Sequence, residues 1–467
     1  MEKKKLKKQT KKKEKKRSGK QPKIKKMSEK KLQEKNQKQR IGRKSFRFIM
    51  KDVRCFAGEQ KFEIRPLTFL VGENSTGKTT TLGCFHTLFD IFKIKFHFDF
   101  NEPPYELGSF DTIARRIVSK DQGSIKNQTF ELGFSCTDPK VEYMVCFAKE
   151  SKRAEPAVSH IKIKLEDMKA CVSFKAEKTY YHILSLKNKG EFKKEFPKTE
   201  VPHHIFLNPY FFLELTQQNT KDKKLLKEFQ KSFSNVREIL PRILIDVAPV
   251  RSKPKRTYDS ILHKNYDPEG VNIPTMLMRL YSQNKEEWKA FYKKLVKFGK
   301  ASELFDDTDI EVYGDSVGGP FQIQFQIKGV QSNIRDTGYG ISQVLPILTH
   351  LFLAPKGSRF LLQQPEVHLH PKAQAALASL FIESIKSSGR SFLIETHSDY
   401  IVNRARIEIQ KGNIPPDQVS LIYLESFKDK VQVHNISFDK QGNLLNVPQG
   451  YGKFFLKESD ALLGFDD

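Results

Sequence analysis

Past residue 44 the hydrophobic pattern changes period several times, and each change predicts an element. SFRFIMKDVRCF (45–56) and KFEIRPLTFLVG (61–72) are rich in Phe, Ile and Val and read as strands. The second ends at a glycine loop, and KTTTLGCFHTLFDIFK after it reads as a helix. Residues 128–186 hold QTFELGFSC, VEYMVCFAK, VSHIKIKLE, ACVSFKAE and TYYHILSL, short alternating runs that predict an antiparallel meander. The lysine-rich KNKGEFKKEFPK (187–198) reads as a surface loop. At 203–240 and 274–305 apolar positions recur at spacings of three and four, as in TKDKKLLKEFQKSFSNVREIL and NKEEWKAFYKKLVKFGKASELF, which predicts helices. From DIEVYGD onward strands return: RFLLQ, SFLIET and VSLIYLE are short apolar runs separated by helical patterns, as in an α/β sheet.

Charge changes this picture at one end. The net charge is +27, of which residues 1–44 carry +18, with 22 Lys/Arg against 4 Asp/Glu. That tail has no apolar run, so it cannot offset its ordering entropy and is expected to be disordered. It lacks a signal-peptide core and suits polyanion binding by counterion release. The five cysteines are scattered without a CxxC pair, which points to a reducing compartment and a cytoplasmic setting. The longest apolar run, around VLPILTHLFLA, is short of the ~20 residues of a membrane span.

The chemistry begins at Gly72, where residues 72–79 fit GxxxxGK[ST] between a strand and a helix. The glycines let backbone N–H groups turn around phosphates, Lys78 reaches the β- and γ-phosphates, and the Thr79 hydroxyl holds Mg²⁺. Downstream, NIRDTGYGISQVLPIL places Gly338, Gly340 and Ser342 before an apolar helix. Alone this is either a second phosphate surface or an ordinary glycine turn with an N-cap serine. RFLLQQPE and then SFLIETHSD, ending near His397, complete the series.

In this order, the motifs resemble the ATP-binding-cassette ATPases, specifically the RecF/OLD/GajA-like (SMC-like) branch, over about residues 45–457. The resemblance implies an α/β fold: an ABC-type P-loop ATPase head with a mixed sheet, an antiparallel β meander and an inserted helical region. It implies ATP and Mg²⁺ as ligands, with Gly72, Asn74, Gly77, Lys78, Thr79 and Thr80 in the phosphate loop. Ser342, Gly338 and Gly340 would face the γ-phosphate of a second subunit, so a homodimer or higher oligomer is implied. His397 would be the switch histidine.

One departure stands out. Gln363 and Gln364 occupy the positions where the family keeps acids for Mg²⁺ and water. An amide can coordinate but cannot take a proton, so slow hydrolysis is expected. Thr79 and Gln363 are then the Mg²⁺ candidates, with Glu366, His397 and Gln364 the catalytic ones. Glu366 could equally just brace its turn. No structural metal is expected: Glu366, His368 and His370 already have a place in the turn after the ATPase strand. Arg251, Lys253, Lys255 and Arg256 are candidate nucleic-acid contacts, or a merely solvated loop, and Phe56 is a candidate adenine contact.

The expected organisation is a polybasic tail (1–44), an N-terminal ATPase lobe (45–200), a mainly helical insertion (201–306) and a C-terminal ATPase lobe (307–467). The 70 residues after His397 are fewer than a nuclease domain of about 100 residues needs, so a partner chain would supply any nuclease. The leading reading is a dimerising ATPase switch near nucleic acid, in anti-phage defence or DNA repair. Alternatives are a non-hydrolysing ATP-dependent scaffold and a transporter ATPase subunit. The transporter is disfavoured by the 258 residues between Lys78 and Asp336. Removing residues 1–44 deletes 18 net positive charges and is expected to flatten the salt dependence of DNA or RNA binding. Filter binding across a salt series checks this; an unchanged slope would move the contact into the body of the chain.

Overall fold

The first apolar run folds into β1 (Phe46–Val53) and β2 (Phe56–Ile64), an antiparallel pair. β3 (Leu67–Gly72) follows at once. The single strand expected over 61–72 is therefore two, because Pro66 has no N–H to give a ladder and fixes its own φ. This computed structural model describes residues 46–90, 98–116, 129–150, 154–175, 178–186, 191–197, 227, 243–259, 266–314 and 319–452. The basic tail and, apart from Lys227, the helical run expected at 203–240 lie outside the described residues.

After β3 comes α1 (Lys78–Asp90) and then the meander. β4 (Phe130–Thr137), β5 (Lys140–Lys149), β6 (Pro156–Leu165), β7 (Met168–Phe174) and β8 (Lys178–Ser185) each pair with the next, antiparallel throughout. One more strand, β9 (Glu191–Pro197), extends the meander where a loop was expected. Its lysines and glutamates face outward while Phe196 is buried, so its alternation was hidden by charge density. The sheet runs β2-β1-β4-β5-β6-β7-β8-β9.

The second sheet is the α/β core. β10 (Leu244–Val247) opens it, followed by α2 (Ile273–Gln283) and α3 (Lys285–Ser302). A small antiparallel sheet of β11 (Asp307–Val312), β12 (Phe321–Ile327) and β13 (Val330–Asn333) leads into α4 (Tyr339–Leu353). Then come β14 (Arg359–Gln363), α5 (Pro371–Ser388), β15 (Ser391–Glu395), α6 (Asp399–Gln410), β16 (Val419–Phe427), β17 (Lys430–Phe438) and β18 (Leu444–Leu445). The order is β10-β14-β15-β3-β16-β17-β18, with the first five strands parallel. β10 thus comes from inside the segment expected to be a helical insertion, its four residues, interrupted by Asp246, too short a run to announce a strand.

Alternation along the core strands divides the interior in two. Leu70, Leu361, Leu393 and Ile422 face the antiparallel sheet and α1. Leu67, Phe69, Phe360, Leu362, Phe392 and Ile394 face the layer of α2 to α6. With both faces covered, the strands read as continuous apolar runs. Phe85 of α1 is fully buried, 4.4 Å from Phe89 and edge-on to Phe48 at 5.3 Å between ring centroids. It joins the helix that starts at the glycine loop to the antiparallel sheet. Phe85→Ala is expected to cost about 3–5 kcal/mol, read as a fall in the urea unfolding midpoint.

Among the described residues no helix is long and apolar enough to cross a membrane.

Candidate functional site

Residues 72–79 leave the carboxyl end of β3 and enter α1, the position where parallel α/β sheets bind ligands. Two of the glycines are dictated by geometry. Gly72 has φ +148° and a Cβ there would lie 2.5 Å from the Leu424 carbonyl oxygen. Gly77 has φ +88° and its Cβ would lie 2.7 Å from the Phe56 ring. Phe56, expected as an adenine contact, is fully buried beneath the loop and edge-on to Phe62. It is a floor for the loop and offers no exposed face for stacking.

Lys78 Nζ donates to the carbonyl oxygens of Gly72 at 2.9 Å and Glu73 at 2.6 Å. Burial lowers its pKa, while the charges of Glu395 and Glu73 oppose the shift. Asn74 is exposed on the loop. Thr80 is buried, and its hydroxyl accepts from Arg54 at 2.9 Å. It braces the back of the loop, together with the hairpin between β1 and β2. Arg54 also donates to the Leu107 and Thr112 carbonyls.

The Thr79 hydroxyl meets a carboxylate the sequence reading had passed over. It lies 2.9 and 3.1 Å from the two oxygens of Glu395, the last residue of β15. Glu395 is 5% exposed and stands in register beside Gln363 on β14. Burial raises its pKa, against the Thr79 hydrogen bond and the Lys78 charge. The signal was present in SFLIETHSD: an acid at the tip of a strand, two residues before the expected switch histidine.

Gln363 is buried, and its side-chain oxygen has no hydrogen-bond partner. Gln364 has φ +43°, and its N–H donates to the Glu395 carbonyl at 2.8 Å. Glu366 accepts the His397 N–H at 2.8 Å through Oε1, while Oε2 is buried without a hydrogen-bond partner. Burial raises the Glu366 pKa, opposed first by that N–H. The His397 ring is exposed, and its pKa is lowered by burial of part of the ring and by Lys78. Lys78, Thr79, Glu395, Glu366, His397 and the glutamine pair therefore converge on the carboxyl ends of three neighbouring strands.

Arg251, expected on a basic surface, is 3% exposed. Its guanidinium donates at 3.2 Å to the carbonyls of Gln343 in α4 and of Gln363 and Gln364 at the tip of β14. Burial pushes its pKa down to about 10, and the Glu366 charge opposes this. It is a structural tie and is removed from the nucleic-acid candidates. Arg256 makes a two-pronged pair with Asp336 at 2.7 Å. Lys253 and Lys255 are exposed.

Gly338 caps α4 with open space around it, and the adjoining Tyr339 is 57% exposed. Gly340 packs under the His368 carbonyl, which a Cβ would approach to 3.0 Å. The Ser342 hydroxyl donates to the Tyr339 carbonyl at 3.0 Å and is buried. The exposed end of this helix is therefore Gly338 and Tyr339. His368 lies 5.4 Å from the Tyr339 ring, and among the described residues no group of three metal-ligating side chains occurs.

The Thr79–Glu395 pair, with the unpartnered Gln363 oxygen beside it, is an all-oxygen set that fits Mg²⁺ carried in with nucleotide phosphates.

A family model described as an AAA ATPase domain matches residues 47–402. No curated protein matches the chain. Among solved structures, an SmcHead bound to the C-winged helix domain of ScpA is similar at 12% identity, covering 84% of this chain and 98% of that chain, with a TM-score of 0.40. An Smc head domain bound to the C-terminal domain of ScpA, derived from Pyrococcus furiosus, matches at 11% identity, 90% and 99% coverage and a TM-score of 0.39. The SMC head domain from Thermotoga maritima matches at 10% identity, 84% and 98% coverage and a TM-score of 0.34.

Burial raises the pKa of both Glu395 and Glu366 above the free-glutamate value. Such groups contribute stability at low pH and withdraw it as pH rises through the folded-state pKa. Without nucleotide and Mg²⁺, lowering the pH from 8 toward about 4.3 is expected to recover their contribution. Glu395→Gln should flatten that rise and raise stability at pH 8. Urea unfolding of both proteins across this range checks it; identical pH slopes would show that the Glu395 charge carries no penalty.

Proposed function

Because the chain belongs to the AAA ATPase domain family, we propose that it is a slowly hydrolysing, self-associating ATPase switch acting near nucleic acid. The observation that carries the ATPase chemistry is the contact of Thr79 with Glu395. With amides at both expected acid positions, the tip of β14 offers no carboxylate for a divalent ion. Glu395 offers one from the next strand, at the loop threonine itself.

ATP would bind with its phosphates in the loop of residues 72–79. Lys78 would exchange its two loop carbonyls for phosphate oxygens. Thr79 and Glu395, with Gln363, would hold Mg²⁺. Bound there, the ion supplies positive charge against the phosphates. Glu366 is held by the His397 N–H and keeps one oxygen unpartnered, so it is the group placed to orient water or accept its proton. His397 lies within electrostatic reach of Lys78, where it can sense the terminal phosphate. Gln364 cannot take a proton, so the chemistry rests on positioning and charge, and turnover is slow.

Self-association is supported by the open start of α4, where Gly338 and Tyr339 face solvent. A second subunit's phosphates would meet that helix end. Nucleic-acid contact is supported by the basic tail and by exposed Lys253 and Lys255. A cytoplasmic setting is in keeping with the five free cysteines. A role in defence or repair within the RecF/OLD/GajA-like branch, with a partner nuclease, is our reading of the motif series.

Gln364 also favours a second reading, a scaffold that binds ATP without turning it over. Single-turnover measurements separate the two. Lys78→Ala is expected to abolish ATP binding in calorimetry. Glu366→Gln should keep binding and slow hydrolysis about 10²–10⁴-fold. Gln364→Glu should accelerate it. Glu395→Gln should remove the Mg²⁺ dependence of ATP affinity. Wild-type hydrolysis no faster than that of Glu366→Gln would favour the scaffold.

A further inference from the structure

α3, α4 and α5 leave a groove of about 390 Å³ between them. Its floor is apolar, with Phe298 and Ala301 from α3, Leu351 and Phe352 from α4, and Ala376 and Leu380 from α5. Its rim carries a net positive charge. Lys294, Lys297, Lys372 and Arg404 stand around it. Lys297 pairs with Glu383, Lys372 with Glu303 and Arg404 with Glu408. Arg390 is buried beneath, donating to Ser384 and the Ala354 carbonyl. The Lys294 ammonium lies over a face of the Phe352 ring, 5.9 Å from its centroid. Lys297 is 70% exposed even while paired with Glu383 at 3.0 Å. An apolar trough with a positive rim fits a short acidic segment carrying bulky apolar side chains.

We propose that the groove is the docking site for residues 458–467 of the same chain. That stretch, ESDALLGFDD, has four carboxylates and no Lys or Arg, with Leu462, Leu463 and Phe465 among them. The other long stretches outside the described residues carry the wrong sign. Residues 1–44 are net +18, and residues 203–240 hold six Lys/Arg against four Asp/Glu.

The path is also short. The described residues end at Gly452, and Tyr451 lies within electrostatic reach of Asp399 and Arg406 on α6. The same helix carries Arg404 at the groove rim. A helix is about 10–12 Å across with its side chains. Five extended residues, 453–457, cover about 17 Å. The acidic stretch therefore begins within reach of the rim, and its leucines and phenylalanine would fill the trough while its carboxylates meet the lysines. Docking there presses on Leu351 and Phe352, in the last turns of the helix that Gly338 caps and whose first turn carries Gly340.

The test uses the full chain with Phe465→p-benzoylphenylalanine, as an equal mixture of ordinary and heavy-isotope protein, irradiated and mapped by mass spectrometry. Cross-links are expected to α3 or α5, as light–light and heavy–heavy pairs. Cross-links to other elements, no cross-link, or mixed light–heavy pairs, which mean a second copy, would each overturn same-chain docking. The exposed pair Lys294→Glu and Lys297→Glu should lower the groove cross-link about fivefold or more, and 0.5 M salt should act in the same direction. An unchanged yield with native circular dichroism would also overturn it.

Discussion

A parallel strand buried on both faces has its ends left for chemistry. β3, β14 and β15 each give one set of side chains to the antiparallel layer and the other to the helices. Nothing polar along their length can reach solvent without emptying a core position. The glycine loop, Glu395, Gln363 and Glu366 therefore collect at the carboxyl tips, where α1 also begins. The site depends on this constraint more than on any one bond, since the in-register pairing of Gln363 with Glu395 is what lets one strand's tip supply a group that its neighbour lacks.

That exchange revises how the glutamines are understood. Two roles are normally expected of the strand tip: holding a metal and handling a proton. On the proposed function, Glu395 would meet the first from β15, through the two oxygens that face Thr79. The second has no equivalent replacement among these groups except Glu366, whose placement by the His397 N–H is good but whose burial favours the protonated form. On that proposal the chain would retain what binding needs and weaken what turnover needs, which suits a device whose bound state is meant to last.

Much of the architecture was legible because its periods were clean. The meander from β4 to β8 and the apolar core strands stood out by alternation and by continuous apolar runs respectively. β9 was missed because lysine and glutamate fill every position between its two phenylalanines, and β10 because four residues carry too little period to detect. The phosphate loop was legible because its chemistry is local in sequence. Glu395 was not, because its meaning depends on which strand lies beside β14, a fact of topology. Arg251 and Phe56 misled for a related reason. A basic run and a loose aromatic look exposed on paper, yet one fills a slot between two elements and the other supports a loop from below.

Arg251 grips only main-chain oxygens, those of Gln343, Gln363 and Gln364. Such a grip is blind to the side chains of the residues it holds. Drift in the Gln363 and Gln364 side chains leaves the tie between α4 and β14 intact, provided the backbone keeps its course, while the Gln343 amide adds its own bond to the Arg251 carbonyl. A lineage could therefore exchange acid for amide at the strand tip, tuning or silencing the chemistry, without losing the rigidity that keeps α4 and β14 in step.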